Sequence, residues 1–212
     1  MKTKALVIAA ALVGPIATAV PSAGAAANDE RVGVAWHAQM APTSGPVAGA
    51  RAHLVRNTNG ISYSLHATNL TPGHAYTLWQ VVVNDPAACD PQPCTAPDIF
   101  GNLEANAQVS YAAGHVAGAS GRATFAGSQR VGAIPEGWLE DRGLIDPVGA
   151  EVHLVLNDHG PALSEFMPAM IHTYRGGCSD SSPFPPIFPP RALADGEAGP
   201  NTCRLTQVAI FR

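Results

Sequence analysis

Short runs in which apolar and polar residues alternate, cut apart by glycine and proline, recur from Val32 to Phe211. A period of two marks a strand with one face buried, and it argues against a helical fold. Val32, Val34, Trp36, Ala38 and Met40 set the first such strand. Segments 50–56 and 61–68 follow as a pair around Asn57-Thr58-Asn59-Gly60, and Asn-Gly between alternating segments is a strong hairpin signal. One face of that pair carries Ala52, Leu54, Ile61, Tyr63, Leu65 and Ala67. The other carries Arg51, His53, Val55, Ser62, Ser64, His66 and Thr68.

Segment 75–84 loses the alternation, and Trp79, Val81, Val82 and Val83 predict a centre strand covered on both sides. Segments 107–117 and 122–128 are expected to form a second hairpin turning at Ser120-Gly121. In segment 150–157, Val152, Leu154 and Leu156 alternate with Glu151, His153 and Val155; 168–174 reads as a short strand, and 205–211 as the last. With 21 glycines, 19 prolines and only 13% charged residues, this pattern predicts an all-β fold. The expected form is a Greek-key β-sandwich of about eight or nine strands, with a closed β-barrel as the alternative.

The N-terminus opens with two lysines, Lys2 and Lys4, followed by an apolar run that Gly14-Pro15 interrupts. Ala23-Gly24-Ala25 and Ala25-Ala26-Ala27 each fit a signal-peptidase site. That order predicts a signal peptide over 1–27, a single domain over 28–212 and a secreted or periplasmic location. The run is short of the roughly 20 residues a membrane span needs, so no transmembrane segment is expected in the mature chain. Cleavage removes both lysines and leaves ten arginines against sixteen acids, a net charge of −6. Such a chain is a poor nucleic-acid partner, and without lysine it has no Schiff-base chemistry.

Four cysteines suit an oxidising compartment. Sequential pairing, Cys89 with Cys94 and Cys178 with Cys203, closes two local loops without crossing the fold. A zinc site from all four would lack any C-x-x-C pair. The later bridge brackets a Pro-rich strap near 179–202, whose Phe184, Ile187 and Phe188 are expected to cover a sheet face or edge.

Leu70-Thr71-Pro72-Gly73-His74-Ala75-Tyr76, leading into an apolar strand, resembles the turn of fibronectin type III domains, with His74 where that family usually has Thr. The resemblance covers about fifteen residues; it implies a sandwich and a tyrosine hydroxyl that pins the corner, and nothing about activity. As a whole the chain is similar to secreted bacterial proteins that bring no activity with them.

Chemistry rests on eight histidines: His37, His53, His66, His74, His115, His153, His159 and His172. No H-E-x-x-H or H-x-H occurs among them. A two-residue Asn59-Gly60 loop would set His53 directly opposite His66, with Cβ atoms about 5 Å apart. That pair could hold copper or zinc, given a third ligand, for which His153 is the candidate. A four-residue loop would instead place Ser64 opposite His53. Glu136, Glu140 and Asp141 offer loop carboxylates for hydrolysis, but no Gly-x-Ser-x-Gly elbow is present. The expected function is non-enzymatic binding of an extracytoplasmic partner, glycan or surface through the loops. Copper or zinc binding by the strand histidines is the alternative, and a loop-built hydrolase stands third.

Overall fold

The computed structural model describes residues 28–212, so the signal expected over 1–27 lies outside the described residues. The strands are β1 Asn28–Trp36, β2 Pro46–Asn57, β3 Gly60–Ala67, β4 His74–Val83, β5 Ala107–Val116 and β6 Ala123–Arg130, followed by β7 Gly132–Ala133, β8 Gly143–Leu144, β9 Glu151–Pro161 and β10 Arg204–Phe211. Short helices α1 Ala96–Gly101, α2 Met167–Met170 and α3 Pro190–Leu193 sit in the connections. Eight strands form one antiparallel sheet in the order β5-β4-β9-β10-β1-β2-β3-β6. Its two edges, β5 and β6, come alongside each other, and the His115 and Phe125 rings meet there edge to face at 6.2 Å. The all-β reading holds: the sheet wraps its core in a sandwich-like way and nearly closes into the barrel alternative.

Inside the curl, Leu54, Leu65, Leu78, Leu154, Leu156 and Phe211 are fully buried in one core. Each such side chain contributes roughly 1.5–3 kcal/mol by leaving water. β4 is apolar on its outer face as well, where Trp79, Val81 and Val83 belong to a second core outside the curl, while β9 adds Val155 among the buried polar residues Glu151, His153, Asn157 and His159. The loss of alternation in β4 therefore has the expected cause.

Four local expectations change. The first strand ends at Trp36, because His37 Nδ1 accepts from the Gln39 N–H and starts a 3-10 turn over Ala38–Met40. Segments 107–117 and 122–128 are strands but not a hairpin: β5 pairs with β4, and β6 with β3. Their connection spends its backbone bonds elsewhere, since the Leu70 N–H donates to Gly121 O and the Gly73 N–H to Ala117 O. Segment 168–174 opens as helix α2, where Pro168 fits the first turn, which needs no donor from it. The strand expected over 150–157 runs on as β9 to Pro161.

The corner at Leu70 is pinned by Tyr76, whose hydroxyl accepts from the Thr71 N–H (3.0 Å) and donates to Asp158 (3.1 Å). His74 Nδ1 meets the same carboxylate at 3.0 Å. On β5, Gly114 lies so close to the chain after α2 that a Cβ there would stand 1.7 Å from the Ile171 carbonyl oxygen. That glycine lets α2 lie against the outer face.

Arg56 is the largest side chain sealed inside, at 1% exposure. Its guanidinium reaches the Glu30 carboxylate and the carbonyls of Pro147 and Ala150, so its charge is paired and four of its five donors are used. Removing one partner of a buried ion pair typically costs about 3–5 kcal/mol. Arg56→Ala should therefore lower stability by about 3 kcal/mol, the low end of that range because Glu30 keeps some water, read as a shift of the urea midpoint at constant slope.

Candidate functional site

The outer face of β5-β4-β9-β10 carries a large apolar patch, with Trp79, Val81, Val83, Val109 and Leu205, and the long connections are folded over it. The first connection carries the Cys89–Cys94 disulfide and α1. The strap closed by the Cys178–Cys203 disulfide brings Phe184 and Phe188, both half-buried against this face. Both bridges are thus the pairs expected from spacing. Ile187, by contrast, points away and is 41% exposed, because the strap turns at Pro185–Phe188 instead of lying flat.

The cover does not fill the space beneath it. A cavity of about 430 Å³ remains, walled by Trp79, Trp138, Tyr174, Phe100 and Phe188 around the aliphatic side chains of the sheet. The rings interlock: Trp79 and Trp138 centroids are 4.7 Å apart, Trp138 and Tyr174 4.9 Å, and Phe100 and Phe188 4.7 Å. Tilted and edge-to-face contacts of this kind add to burial and fix the ring planes.

Trp79 is fixed further from below. Its Nε1–H donates to Thr77 Oγ1 (2.9 Å), which meets His159 Nε2 (2.8 Å), while His159 Nδ1 donates to Gly176 O (2.9 Å). A carbonyl partner requires the hydrogen on Nδ1, so Thr77 donates to a bare Nε2. Burial pushes His159 down to about 4, which keeps the imidazole neutral in this role.

Polar groups on the cavity wall are few: His37, Thr95 and His153. Thr95 Oγ1 is engaged with Asp98 in the capping box of α1 (2.7 Å). His153 Nε2 lies 2.6 Å from Glu151 Oε1, and the same carboxylate oxygen accepts the Cys94 N–H at 2.8 Å. Burial alone would raise the Glu151 carboxyl, but the His153 hydrogen bond and charge, with the Cys94 N–H, hold it below the usual range. His153 thus lines the cavity with its Nε2 committed to Glu151.

Trp79 and Trp138 also wall a second hollow of about 380 Å³, whose other lining includes Tyr111, Glu136, His172 and Asp195. Burial raises the Asp195 carboxyl, against the Tyr174 N–H it accepts at 3.0 Å. Glu136 therefore shares a hollow with Asp195, while Glu140 borders a different one and Asp141 sits at a turn with φ 56°.

His53 and His66 lie on the opposite half of the sheet. The loop is two residues, Thr58-Asn59 rather than Asn59-Gly60, and the register is the one that sets Ser64 opposite His53: Asn57 pairs with Gly60, Asn57 Oδ1 accepts the Asn59 N–H (2.8 Å), and Gly60, not Asn59, takes the positive φ of 154°. A Cβ on Gly60 would meet Gln129 O at 2.2 Å. His53 consequently faces Ser64, and His66 faces Arg51, leaving the two imidazoles diagonal. His53 Nε2 is held by Asp29 (2.8 Å) and His66 Nδ1 by Thr124 (3.1 Å). His153 cannot join them, since β10 and β1 separate β9 from β2. Among the described residues the cluster with metal-ligand spacing is His159, Cys178 and Cys203, and there both sulfurs are consumed in the disulfide.

The buried His159 has a pH signature. An unfolded chain takes up this proton near pH 6.5 and the folded one only near 4, so the contribution is complete above about 6.5 and is lost as pH falls toward 4. Between about pH 7 and 4, wild type should lose about 3 kcal/mol more than His159→Gln, measured as urea midpoints of the two proteins at each pH. Compared with known proteins, the chain matches no family model, no curated protein and no solved structure, so its chemistry is read from its own residues.

Proposed function

We propose that the chain is an exported, non-enzymatic binding protein that takes a small apolar, ring-bearing molecule into the aromatic cavity beneath its strap. The cavity carries this reading. Its volume of about 430 Å³ falls in the range of small-molecule sites, roughly 300–1,000 Å³, and its walls are apolar with few polar anchors. His153 supplies the anchor, oriented by Glu151. The neighbouring hollow around Glu136 and Asp195 gives room for a polar end of the same ligand, since Trp79 and Trp138 belong to both.

Binding without turnover fits the lining. Cys94 is oxidised, Thr95 is engaged with Asp98, and the Glu151–His153 pair therefore has no nucleophile to activate. Two disulfides suit an oxidising compartment, and no helix of the described residues is long and apolar enough to cross a membrane.

The test is titration with neutral N-phenyl-1-naphthylamine, followed by its fluorescence and by quenching of tryptophan, together with mass spectrometry of solvent extracts of untagged protein. Saturable binding is expected, weakened about tenfold or more by Phe188→Ala and by Trp138→Phe. Absence of saturable binding, together with an extract holding no small molecule, would sink the reading. Intact mass of protein recovered outside the cytoplasm should give an N-terminus at Ala26 or Asn28; a species starting at Met1 would count against export by cleavage.

A further inference from the structure

Among the described residues, nothing covers the outer face of β1-β2-β3-β6, and its polar residues fall into register. One rung across the strands reads Arg31, His53, Ser64; the next reads Arg51, His66, Thr124. Directly opposed side chains stand about 5 Å apart at Cβ, so two guanidiniums, two imidazoles and two hydroxyls share one small area. They line a hollow of about 300 Å³. Past Arg51 and His66 the surface dips again, into a hollow lined by Thr68, Asn69, Ser120 and Arg122.

The charge here runs against that of the molecule. Residues 28–212 carry ten arginines and sixteen acids, a net charge of −6. Yet this groove gathers Arg31, Arg51 and Arg122 around one carboxylate, Asp29, which is engaged with His53 at 2.8 Å and lies 3.6 Å from Arg31 Nε. Neither Arg51 nor Arg122 pairs with an acid among the described residues. A divalent cation is repelled by such neighbours, whereas a guanidinium fork beside hydroxyls and imidazoles matches a tetrahedral oxyanion.

We propose that this groove is an oxyanion site for a phosphate or sulfate group, free or carried as an ester, with Arg51 at its centre. Arg51 and His66 border both hollows, so a chain bearing repeated ester groups could engage Arg31 and Arg122 through successive groups. The site is independent of the aromatic cavity, on the other half of the sheet.

Calorimetric titration of untagged protein with sodium sulfate and sodium phosphate, at ionic strength held constant with chloride, tests it. Saturable one-site binding is expected, weakened about tenfold by Arg51→Ala and by His66→Gln, and unchanged by Arg204→Ala on the exposed start of β10. All three side chains lie outside the core, and unchanged unfolding midpoints would show that the variants fold. A parallel arm compares dextran sulfate with uncharged dextran. Polymer binding at least tenfold tighter than sulfate, and weakened by Arg122→Ala, identifies the ester-bearing chain as the source; equal affinity per group identifies the free ion. Binding no tighter than chloride overturns the proposal. So does a stoichiometric Zn²⁺ site that His53→Ala or His66→Ala abolishes.

Discussion

β4 must bury both of its faces, with β9 beside it, and the rest of the molecule is arranged around that demand. Their inner side chains join the core of the curled sheet, and their outer ones would expose tryptophan and valine to water if left bare. Three connections meet the demand by folding back over the sheet: 84–106 with α1, 134–142 with Trp138, and the strap. Loops are poor at filling space, because their backbone must keep its own hydrogen bonds while their rings reach inward. A cavity under such a cover is the natural result. The half of the sheet that lacks this demand, β1-β2-β3-β6, keeps a polar outer face that no described segment covers.

The polar run that links the ring wall to the strap is tolerated because each of its members has a partner. The run from Trp79 through Thr77 and His159 to the Gly176 carbonyl crosses from the ring wall to the root of the strap, with a donor and an acceptor matched at every step. Asn157 adds a bond to the Tyr174 carbonyl at 3.1 Å, so the sheet and strap are tied by hydrogen bonds as well as rings. These bonds set where Trp79 and Tyr174 stand, and with them the shape of the cavity.

Much of this was legible residue by residue. Faces follow from period, so the in-and-out assignment along 51–68 and 151–156 needed no tertiary information, and spacing sufficed for the disulfides. What failed was non-local. Ser120-Gly121 does turn the chain, but the partners that break the hairpin, Leu70 and Gly73, are some fifty residues away. The register of His53 and His66 hung on one choice, the Asn57 side chain capturing the Asn59 N–H, which slid the pairing by two. The cavity draws on segments far apart in sequence, and no motif announces it. A signal was nonetheless present: Trp138, Tyr174, Phe184 and Phe188 all lie in proline- and glycine-rich connections, where large rings have no strand face of their own to bury. Rings in such places have to be housed somewhere.

Both disulfides lie outside the curled sheet, in the segments that roof the aromatic cavity. Neither bridge joins two strands of the eight-stranded ladder. In a reducing compartment the sheet could therefore be complete while Cys94 and the strap remained on open chain, and the cavity would lack a fixed wall and ceiling. In the proposed binding role, oxidation of these thiols is what gives the cavity its fixed wall and ceiling, and it confines ligand capture to wherever that oxidation can take place.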